Sequence, residues 1–241
     1  MKIALCLHGY FDSFTDITSR GEDGFKHLEK HVFSKGDVDV YLHSWDVENK
    51  DLILETYGPY LKGWKIEEQK DFSKEVKRNG LDKVPVRKGY RSPETIFSHL
   101  YSVQESFKFP LLEDTDYDVV IKSRFDVGRI NRNTTAKGAA IPVQCINFDP
   151  TLSMDLLHMA DWSYLKSEGP ADMWFYSGKE LMLKFQDIYD ILEQDLVPGG
   201  EYEEWAGPHS NGIINGIKAY KWFMMITGLW SKKSLLRTYW E

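Results

Sequence analysis

The sequence predicts a single-domain α/β protein with an open, mostly parallel β-sheet flanked by helices. Two observations lead to this class. Apolar runs typical of strands buried on both faces alternate along the chain with segments of helical period. The 241 residues, 42% of them hydrophobic, are ample for one large core and short for two ordinary domains. Such sheets bind ligands beyond the carboxyl ends of their strands, so polar groups at those ends are candidates for function.

The first part of the chain predicts a βαβ unit. Residues 2–10 form a nearly continuous apolar run that ends at Gly9, as expected of a buried parallel strand followed by a tight turn. Residues 24–33 carry apolar side chains at helical spacing, and residues 37–46 return to strand character. A further short strand is predicted within residues 63–72.

The middle of the chain predicts a basic loop, a helix and a buried strand. Residues 74–91 are polar, rich in Lys and Arg and without a clear period, which predicts a mobile loop. Ser92 as N-cap and Pro93 at the first helical position open a helix over residues 92–107. The apolar run at residues 117–122 predicts the next strand.

The last part of the chain predicts two strands and two helices. Residues 139–148 predict a strand that Pro142 places near an edge, and residues 171–178 predict a short strand. Residues 210–220 predict a final helix, weakened by its glycines. The helix before it has one apolar stripe, formed by Leu181, Phe185, Ile188 and Leu192.

Composition and charge narrow the class of partner. The net charge of −7 and the pI of about 5.6 argue against a general binder of nucleic acid or of anionic membranes. Cys6 and Cys145 both lie in apolar runs, so we expect core thiols in a reducing compartment and not a disulfide framework. The start of the chain shows no signal-peptide pattern, and no apolar run approaches the ~20 residues of a membrane span. We therefore expect a soluble, cytoplasmic protein without a transmembrane segment.

The strand at residues 117–122 continues into an unusual cluster of charges. Lys122, Arg124, Asp126 and Arg129 follow one another within eight residues, at the predicted ligand edge of the sheet. A carboxylate flanked by two arginines suits a diphosphate bound together with a divalent cation. An Arg–Asp pair that merely closes the strand end is the equally open alternative.

Several short motifs stand in an order that resembles a known family. In this order and with similar spacing, the chain contains LCLHGY, VYLHSWD (40–46), YGPYLKGWKIEE (57–68), HLYSVQESFK (99–108), YDVVIKSRFDVG (117–128) and ADMWFYSG (171–178). This order resembles a group of small bacterial and viral glycosyltransferases with the nucleotide-sugar-binding GT-A fold, from residue 2 to about residue 220. Two departures are present. Tyr10 and Phe11 follow the first glycine, where an Arg is frequent, and GPHSNG (207–212) replaces a late Pro-Glu pair.

The resemblance implies an activity and a division of the chain. It implies one GT-A-like glycosyltransferase domain over residues 1–241, with a nucleotide-sugar-binding half at 1–130 and an acceptor-binding half at 131–241. The reaction would move a hexosyl or pentosyl group from a nucleotide-sugar donor to an acceptor glycan or lipid-linked saccharide, assisted by Mn²⁺ or Mg²⁺. The alternative is a non-catalytic carbohydrate-binding or structural protein that keeps the fold, because Arg124 stands where the family's metal-binding motif has its first Asp.

The resemblance also assigns donor-side residues. Asp126 corresponds to the last acidic residue of that motif, which implies contact with metal and diphosphate. Arg124, two residues earlier and on the same face of an extended strand, is the candidate for the diphosphate. Asp46 is a candidate for contact with the base and Trp45 for stacking on a ring; both equally suit a cap and packing at the end of the second strand.

Further candidates lie in loops at the same predicted edge. At the end of the first strand, backbone amides of His8, Gly9 and Tyr10 are placed to approach a nucleotide, or to form an ordinary tight turn. His209 is a candidate third ligand of the metal or phosphate, because many enzymes of this fold carry a His after the last core strand. A lone His beside a Pro also suits a plain loop.

Asp172 is the predicted catalytic base. In the resembling family the matching Asp lies on the acceptor side, and an acidic group there is placed to accept the proton of an acceptor hydroxyl. Met173, Trp174, Phe175 and Tyr176 would then form an aromatic floor for the acceptor sugar. Asp161 is the nearest rival, and a cap of the turn before the strand is the structural alternative for Asp172.

Overall fold

The structure of the protein is a computed structural model. Within the described residues, one seven-stranded sheet forms the centre of the fold, with helices packed against both faces. A separate two-stranded sheet accompanies it. The described residues are 1–11, 20–84, 86, 91–128, 130–131, 141–142, 145–161, 169–170, 172–207 and 215–236.

The central sheet is mostly parallel. The strands are β1 Lys2–Gly9, β2 Asp37–Ser44, β3 Leu61–Ile66, β4 Val119–Arg124, β5 Ile130–Asn131, β6 Ile141–Pro142, β7 Leu157–Ala160, β8 Trp174–Ser177 and β9 Lys233–Leu236. The order is β3-β2-β1-β4-β8-β7-β9. All neighbours pair in parallel except β8, which is antiparallel to both β4 and β7. The predicted α/β class with an open, mostly parallel sheet is confirmed.

Helices cover both faces of this sheet. They are α1 Arg20–His31, α2 Lys50–Tyr57, α3 Ser73–Arg78, α4 Pro93–Phe107, α5 Pro110–Asp114, α6 Lys179–Met182, α7 Ile188–Asp195, α8 Glu201–Ala206 and α9 Gly216–Ile226. The start of α4 is as predicted, since Ser92 Oγ accepts a hydrogen bond from the Thr95 backbone N–H at 3.4 Å and Pro93 is the first helical residue. The buried side of α4 packs on β1 and β2.

Side-chain alternation along β1 and β4 decides which polar groups lie beneath α4. Cys6 and Val120 belong to the core between α4 and the sheet. His8 has the parity of Cys6, and Lys122 and Arg124 have the parity of Val120, so all three point toward the α4 side. In the β1–β4 register Cys6 is opposite Lys122, and His8 is opposite Arg124.

The carboxyl end of β1 is the topological switch point of the sheet. The chain adds β2 and β3 on one side of β1 and β4 on the other, and such a point opens a crevice at the strand ends. Gly9 ends β1 with a φ of 99°, a backbone conformation that side-chain-bearing residues rarely adopt. Because β8 runs antiparallel to β4, with Trp174 opposite Ser123, the start of β8 and Asp172 before it lie at the same edge.

The prediction of a loop over residues 74–91 is wrong for the first part of this range. Helix α3 and a 3₁₀ turn at Leu81–Lys83 occupy it. Val76 and Leu81 are each 1% exposed, and burying two apolar side chains holds this polar stretch on the core. Residues 85 and 87–90 lie outside the described residues.

The strand predicted over residues 139–148 is also wrong in extent. Among the described residues of this stretch only β6 forms, and it pairs with β5 outside the central sheet; residues 139–140 and 143–144 lie outside the described residues. Pro142 has no N–H to donate to a longer ladder of backbone hydrogen bonds. Residues 145–149 have no regular structure, although Ile146 and Phe148 in that segment are buried.

The apolar stripe after residue 178 is buried, but not on one continuous helix. Helix α6, a 3₁₀ turn at Leu183–Asp187 and α7 follow one another. Phe185, Ile188 and Leu192 are fully buried and Leu181 is half-buried. The apolar pattern therefore predicted which side chains are buried better than it predicted the length of the helix. The predicted final helix is present as α9 from Gly216 onward, and residues 210–214 of the prediction lie outside the described residues. Among the described elements, those not predicted are α2, α5, α8, β5, β7 and β9.

The central sheet joins strands from both predicted halves of the chain, β1 to β4 from the first and β7 to β9 from the second. The boundary near residue 130 stays a prediction. Among the described helices, none has the length and apolar character needed to cross a membrane. Neither Cys6 nor Cys145 forms a disulfide; Cys6 is buried in the core, as predicted, whereas Cys145 is half-buried.

Candidate functional site

A cleft of about 540 Å³ opens at the switch point, between the carboxyl ends of β1, β2 and β4 and the first turns of α4. Four basic side chains and one carboxylate line it, with hydroxyl, amide and aromatic groups between them. The lining residues are His8, Gly9, Tyr10, Trp45, Gln69, Arg91, Thr95, Ser98, His99, Ser102, Arg124 and Asp126. The structure therefore brings together six of the seven residues predicted for donor binding; Asp46 is the exception.

Arg124 and Asp126 are joined in a bidentate ion pair at the end of β4. Arg124 Nε donates to Asp126 Oδ1 at 2.8 Å, and Nη2 donates to Oδ2 at 2.7 Å. The strand ends at Arg124, and a turn at residues 125–128 folds Asp126 back toward it. The two residues thus meet through a turn and not, as predicted, through the alternation of a longer strand. Asp126 is 7% exposed, and the Arg124 guanidinium gives this buried carboxylate an oppositely charged partner.

The described residues do not make a divalent-cation site around Asp126. Both oxygens of this carboxylate accept hydrogen bonds from the Arg124 guanidinium, a competing positive charge. Across the described ranges, no group of three or more His, Cys, Asp or Glu side chains could hold a metal ion. His209, the predicted third ligand, lies outside the described residues. The predicted assistance by Mn²⁺ or Mg²⁺ stays a prediction from the resemblance.

His8 is an unpartnered imidazole at the inner end of the cleft. Its side chain is 1% exposed, and neither Nδ1 nor Nε2 has a hydrogen-bond partner. Burial and the nearby positive charge of Lys122 lower the pKa of His8 well below its usual value, so the ring is neutral and carries one donor and one acceptor. Unsatisfied buried nitrogens of this kind are costly, and they favour a polar ligand in the cleft.

Gly9 and Tyr10 follow His8 in the lining of the cleft. The Gly9 backbone N–H donates to Ser102 Oγ on α4 at 2.9 Å, which ties the turn after β1 to the helix. Tyr10 is 39% exposed, and its hydroxyl donates to Gln69 Oε1 at 2.5 Å across the rim of the cleft. The Gly9 amide is therefore already bonded within the protein.

Trp45 and Asp46 take different positions at the end of β2. Trp45 lines the cleft but is only 5% exposed, and its ring stacks on Tyr101 with centroids 5.5 Å apart. A ligand would meet the edge of Trp45 and not an open face. The Asp46 carboxylate accepts hydrogen bonds from Asn49 Nδ2 at 3.0 and 3.1 Å and stabilises the turn into α2.

His99, a residue that the motif analysis did not single out, lies at the centre of the charged cluster. His99 Nε2 is 3.0 Å from Tyr220 Oη and 3.4 Å from Asp172 Oδ2. Its ring meets the His8 ring edge-on, with centroids 5.1 Å apart. Burial lowers the pKa of His99 well below its usual value, although the Asp172 carboxylate acts in the opposite direction.

Asp172 is ionised beside this histidine. Burial raises the pKa of Asp172, but the positive charges of Arg124 and Lys122 outweigh this effect and hold the pKa below its usual range. The prediction that the side chains next to Asp172 form an aromatic floor for the acceptor sugar is wrong. Those side chains belong to the core and are at most 2% exposed; they are Met173, Trp174, Phe175 and Tyr176. A β-strand in mid-sheet is buried on both faces, so its aromatic side chains are not available to a sugar.

Lys122 is a fully buried cation beneath the cleft. Its Nζ donates to the Asp172 backbone carbonyl and lies 4.9 and 5.1 Å from the ring centroids of Phe175 and Tyr220. Burial lowers the pKa of Lys122 to about 7. The ammonium group therefore fixes the segment before β8 and adds positive potential to the cleft.

Asp161, the predicted rival base, lies farther along the sheet. It follows β7, and its backbone N–H donates to the Leu236 carbonyl of β9 at 2.7 Å. Because β8 separates β7 from β4, the end of β7 is ~10 Å from the end of β4, at two strand spacings.

Helix α4 contributes the groups that sequence analysis missed. Thr95, Ser98, His99 and Ser102 recur at helical spacing and line the cleft. A polar stripe beside the apolar stripe of the same helix was the available signal, since a helix packed on a sheet needs polar groups mainly where it meets solvent or ligand.

Comparisons with known proteins give no family. No family model matches the chain, and no curated protein matches it in sequence. Similar solved structures include the PaToxG glycosyltransferase, with 9% identity and a TM-score of 0.36 over 94% of this chain and 68% of that one. Another is mouse xyloside xylosyltransferase 1 in its apo form, with 9% identity and a TM-score of 0.39 over 98% of this chain and 85% of that one. Such values assign neither a family nor an activity to this chain.

Proposed function

We propose that this protein is a glycosyltransferase that moves a sugar from a nucleoside-diphosphate donor to a hydroxyl of an acceptor glycan or lipid-linked saccharide. The observation that carries the proposal is the cleft at the switch point of the sheet, where Arg124 and Asp126 stand at the end of β4. Nucleotide ligands of open α/β sheets bind in this position. The ordered motifs of the sequence support the same class.

The charges of the cleft suit a leaving diphosphate. Arg124 is fixed by its strand, Arg91 is exposed at the mouth, and Lys122 lies beneath. A guanidinium can give two parallel hydrogen bonds to phosphate oxygens, and fixed positive charge stabilises the charge that develops as the glycosidic bond breaks. No step is assigned to a metal ion. If Mn²⁺ or Mg²⁺ takes part, it would add a further positive charge at the diphosphate through Asp126.

A non-catalytic glycan-binding protein is the second candidate. The observation that favours it is the closed Arg124–Asp126 pair, which satisfies both partners without any ligand. Such a protein would gain stability from glycans and not from nucleotides.

Thermal unfolding separates the two candidates. We expect UDP, GDP, CDP or dTDP, tested at millimolar concentration with and without Mn²⁺, to raise the Tm, because a ligand that binds only the native state stabilises it by about 2.7 kcal/mol at 100 times its Kd. A screen of nucleotide sugars by donor hydrolysis then identifies the sugar. A Tm that rises with oligosaccharides alone would refute the transferase and favour the binder.

A further inference from the structure

His99 is the one imidazole of the described cleft that faces both the ligand space and a carboxylate. We propose that His99 accepts the proton of the acceptor hydroxyl and that Asp172 is a positioning residue that holds the His99 ring. The inference rests on the proposed function and deepens it, since it replaces Asp172 as the proton acceptor. Asp172 itself is not among the residues that line the cleft.

The contacts of Nε2 favour one tautomer of His99. Nε2 lies 3.4 Å from the Asp172 carboxylate and 3.0 Å from Tyr220 Oη. An Nε2 lone pair directed at an ionised carboxylate would be repelled, whereas an Nε2–H is attracted and can also reach the tyrosine oxygen. The Nε2–H tautomer leaves the Nδ1 lone pair unprotonated. No protein hydrogen bond to His99 Nδ1 is found among the described residues, and the side chain is 18% exposed at the cleft.

Burial and the charged groups around His99, which come from three segments, explain how the ring stays neutral before the reaction. Lys122 and Arg124 from β4 and Arg91 before α4 oppose a second positive charge, whereas Asp172 before β8 favours it. Tyr220 from α9 and His8 from β1 add neutral polar contacts. A bound diphosphate cancels part of the positive field, so the imidazolium becomes easier to form once the donor is in place.

The proposed step is balanced. The acceptor oxygen forms a bond to the anomeric carbon of the donor sugar as the bond from that carbon to the diphosphate oxygen breaks, and the bonding pair leaves with the nucleoside diphosphate. The hydroxyl proton moves to His99 Nδ1. The resulting imidazolium keeps its Nε2–H on Asp172, and it returns the extra proton to solvent or to the leaving diphosphate.

His8 supports this assignment independently. Both of its nitrogens are buried and have no hydrogen-bond partner, and the residue lines the same cleft as His99. A neutral imidazole has one donor and one acceptor, and a sugar hydroxyl offers the matching acceptor and donor. His8 is thereby placed to hold a hydroxyl next to His99, whose ring it contacts edge-on.

The tautomer of His99 can be measured without any substrate. In ¹⁵N-labelled wild-type protein, with the His99 signals assigned by their loss in His99→Gln, we expect a protonated Nε2 and an unprotonated Nδ1 near pH 7. We expect Asp172→Asn to shift the population away from this tautomer. A protonated Nδ1 in the wild type would overturn the proposal, because that nitrogen could then donate a proton but not accept one.

Kinetics give the second test. With a donor found in the screen, we expect His99→Gln to lower kcat by ~100-fold or more, the usual contribution of a general base, while the Kd for the free nucleoside diphosphate changes less than ~3-fold. His31→Gln, on α1 away from the cleft, is the matched control and should keep full activity. Full activity of a folded His99→Gln protein would refute the inference alone. A wild type that binds no nucleoside diphosphate and hydrolyses no donor would refute the proposed function, and this inference with it.

Discussion

The guanidinium of Arg124 donates hydrogen bonds to both carboxylate oxygens of Asp126, at 2.7 and 2.8 Å, and the pair lies at the candidate donor site. Any diphosphate that binds Arg124 must compete with this internal partner. The strength and the metal dependence of nucleotide binding therefore depend on how the pair opens, and single substitutions of each partner have different expected effects.

The first prediction is that Arg124→Lys lowers the affinity for the nucleoside diphosphate by ~10-fold or more, although the charge is kept. A lysine ammonium is a point charge on a flexible stem and cannot give the paired hydrogen bonds of a guanidinium. Calorimetry with UDP or GDP measures the change. Arg78→Lys, in an ion pair with Glu193 away from the cleft, is the matched control and should bind normally. Unchanged affinity in Arg124→Lys would mean that the pair only closes the strand end.

The second prediction concerns Asp126→Asn in metal-free buffer. We expect tighter binding of the nucleoside diphosphate, by several-fold, because a negative charge beside the phosphates is removed and Arg124 is released. Repeating the titration with Mn²⁺ tests the metal contact implied by the resemblance. If Asp126 holds the ion, the gain in affinity that Mn²⁺ gives the wild type disappears in the variant; if the gain persists, Asp126 is not a metal ligand.

Local pattern was enough to bring several of the predicted residues to one cleft. Gly9 and Arg124 were singled out at the ends of strand-like runs and Trp45 by the resemblance, and parallel strands bring such ends to one edge. The pairing of Arg124 with Asp126 required a turn after β4, which alternation cannot predict, because it assumes an extended chain.

The contact between Asp172 and His99 depends on the pairing of distant segments. Asp172 reaches His99 because β8 pairs antiparallel with β4, in a register that sets Phe175 opposite Lys122. Neither the direction nor the register of that pairing follows from the period of residues 171–178. The same pairing buried the aromatic side chains that had been expected to contact sugar. A sequence reveals which residues are polar, but long-range pairing decides which of them meet.

The third prediction is that Asp172→Asn loses most transfer activity and keeps nucleotide binding. An asparagine preserves the size of the side chain but not the charge that favours the Nε2–H tautomer of His99. Because the carboxylate acts through His99, we expect kcat to fall while the Kd for UDP or GDP stays within ~3-fold. Asp161→Asn, at the end of β7, is the comparison variant and should remain active. Normal transfer by Asp172→Asn would remove this carboxylate from the mechanism.

The fourth prediction is a loss of stability in mild acid. Burial lowers the pKa of His27 and of His43 to about 4, below the value of about 6.5 in an unfolded chain. Between these values the unfolded state binds more protons than the native state, so the free energy of unfolding falls as the pH drops from about 6.5 to about 4. Denaturant unfolding at pH 7, 6 and 5 should show this decline, and His43→Gln should reduce its slope. A free energy of unfolding that does not change between pH 7 and pH 5 would contradict the prediction.

The last prediction concerns Lys122, which is 0% exposed and whose pKa is lowered by burial to about 7. Its folded pKa lies below the unfolded value of about 10.4, so between pH 7 and pH 10 the unfolded state binds the extra proton and the native state does not. The free-energy cost of burying the charge of Lys122 is therefore largest below pH 7 and decreases as the pH rises. Lys122→Met removes the charge and fills a similar volume.

The free energy of unfolding of the wild type should rise relative to that of Lys122→Met by up to about 1.4 kcal/mol per pH unit between pH 7 and pH 10. Subtracting the two proteins cancels the titration of the groups they share. Urea unfolding at pH 6, 8 and 9.5 measures the difference, and the exposed Lys26→Met is the control. A difference that does not change with pH would mean that Lys122 keeps its proton when folded, held by the Asp172 carbonyl and the faces of Phe175 and Tyr220.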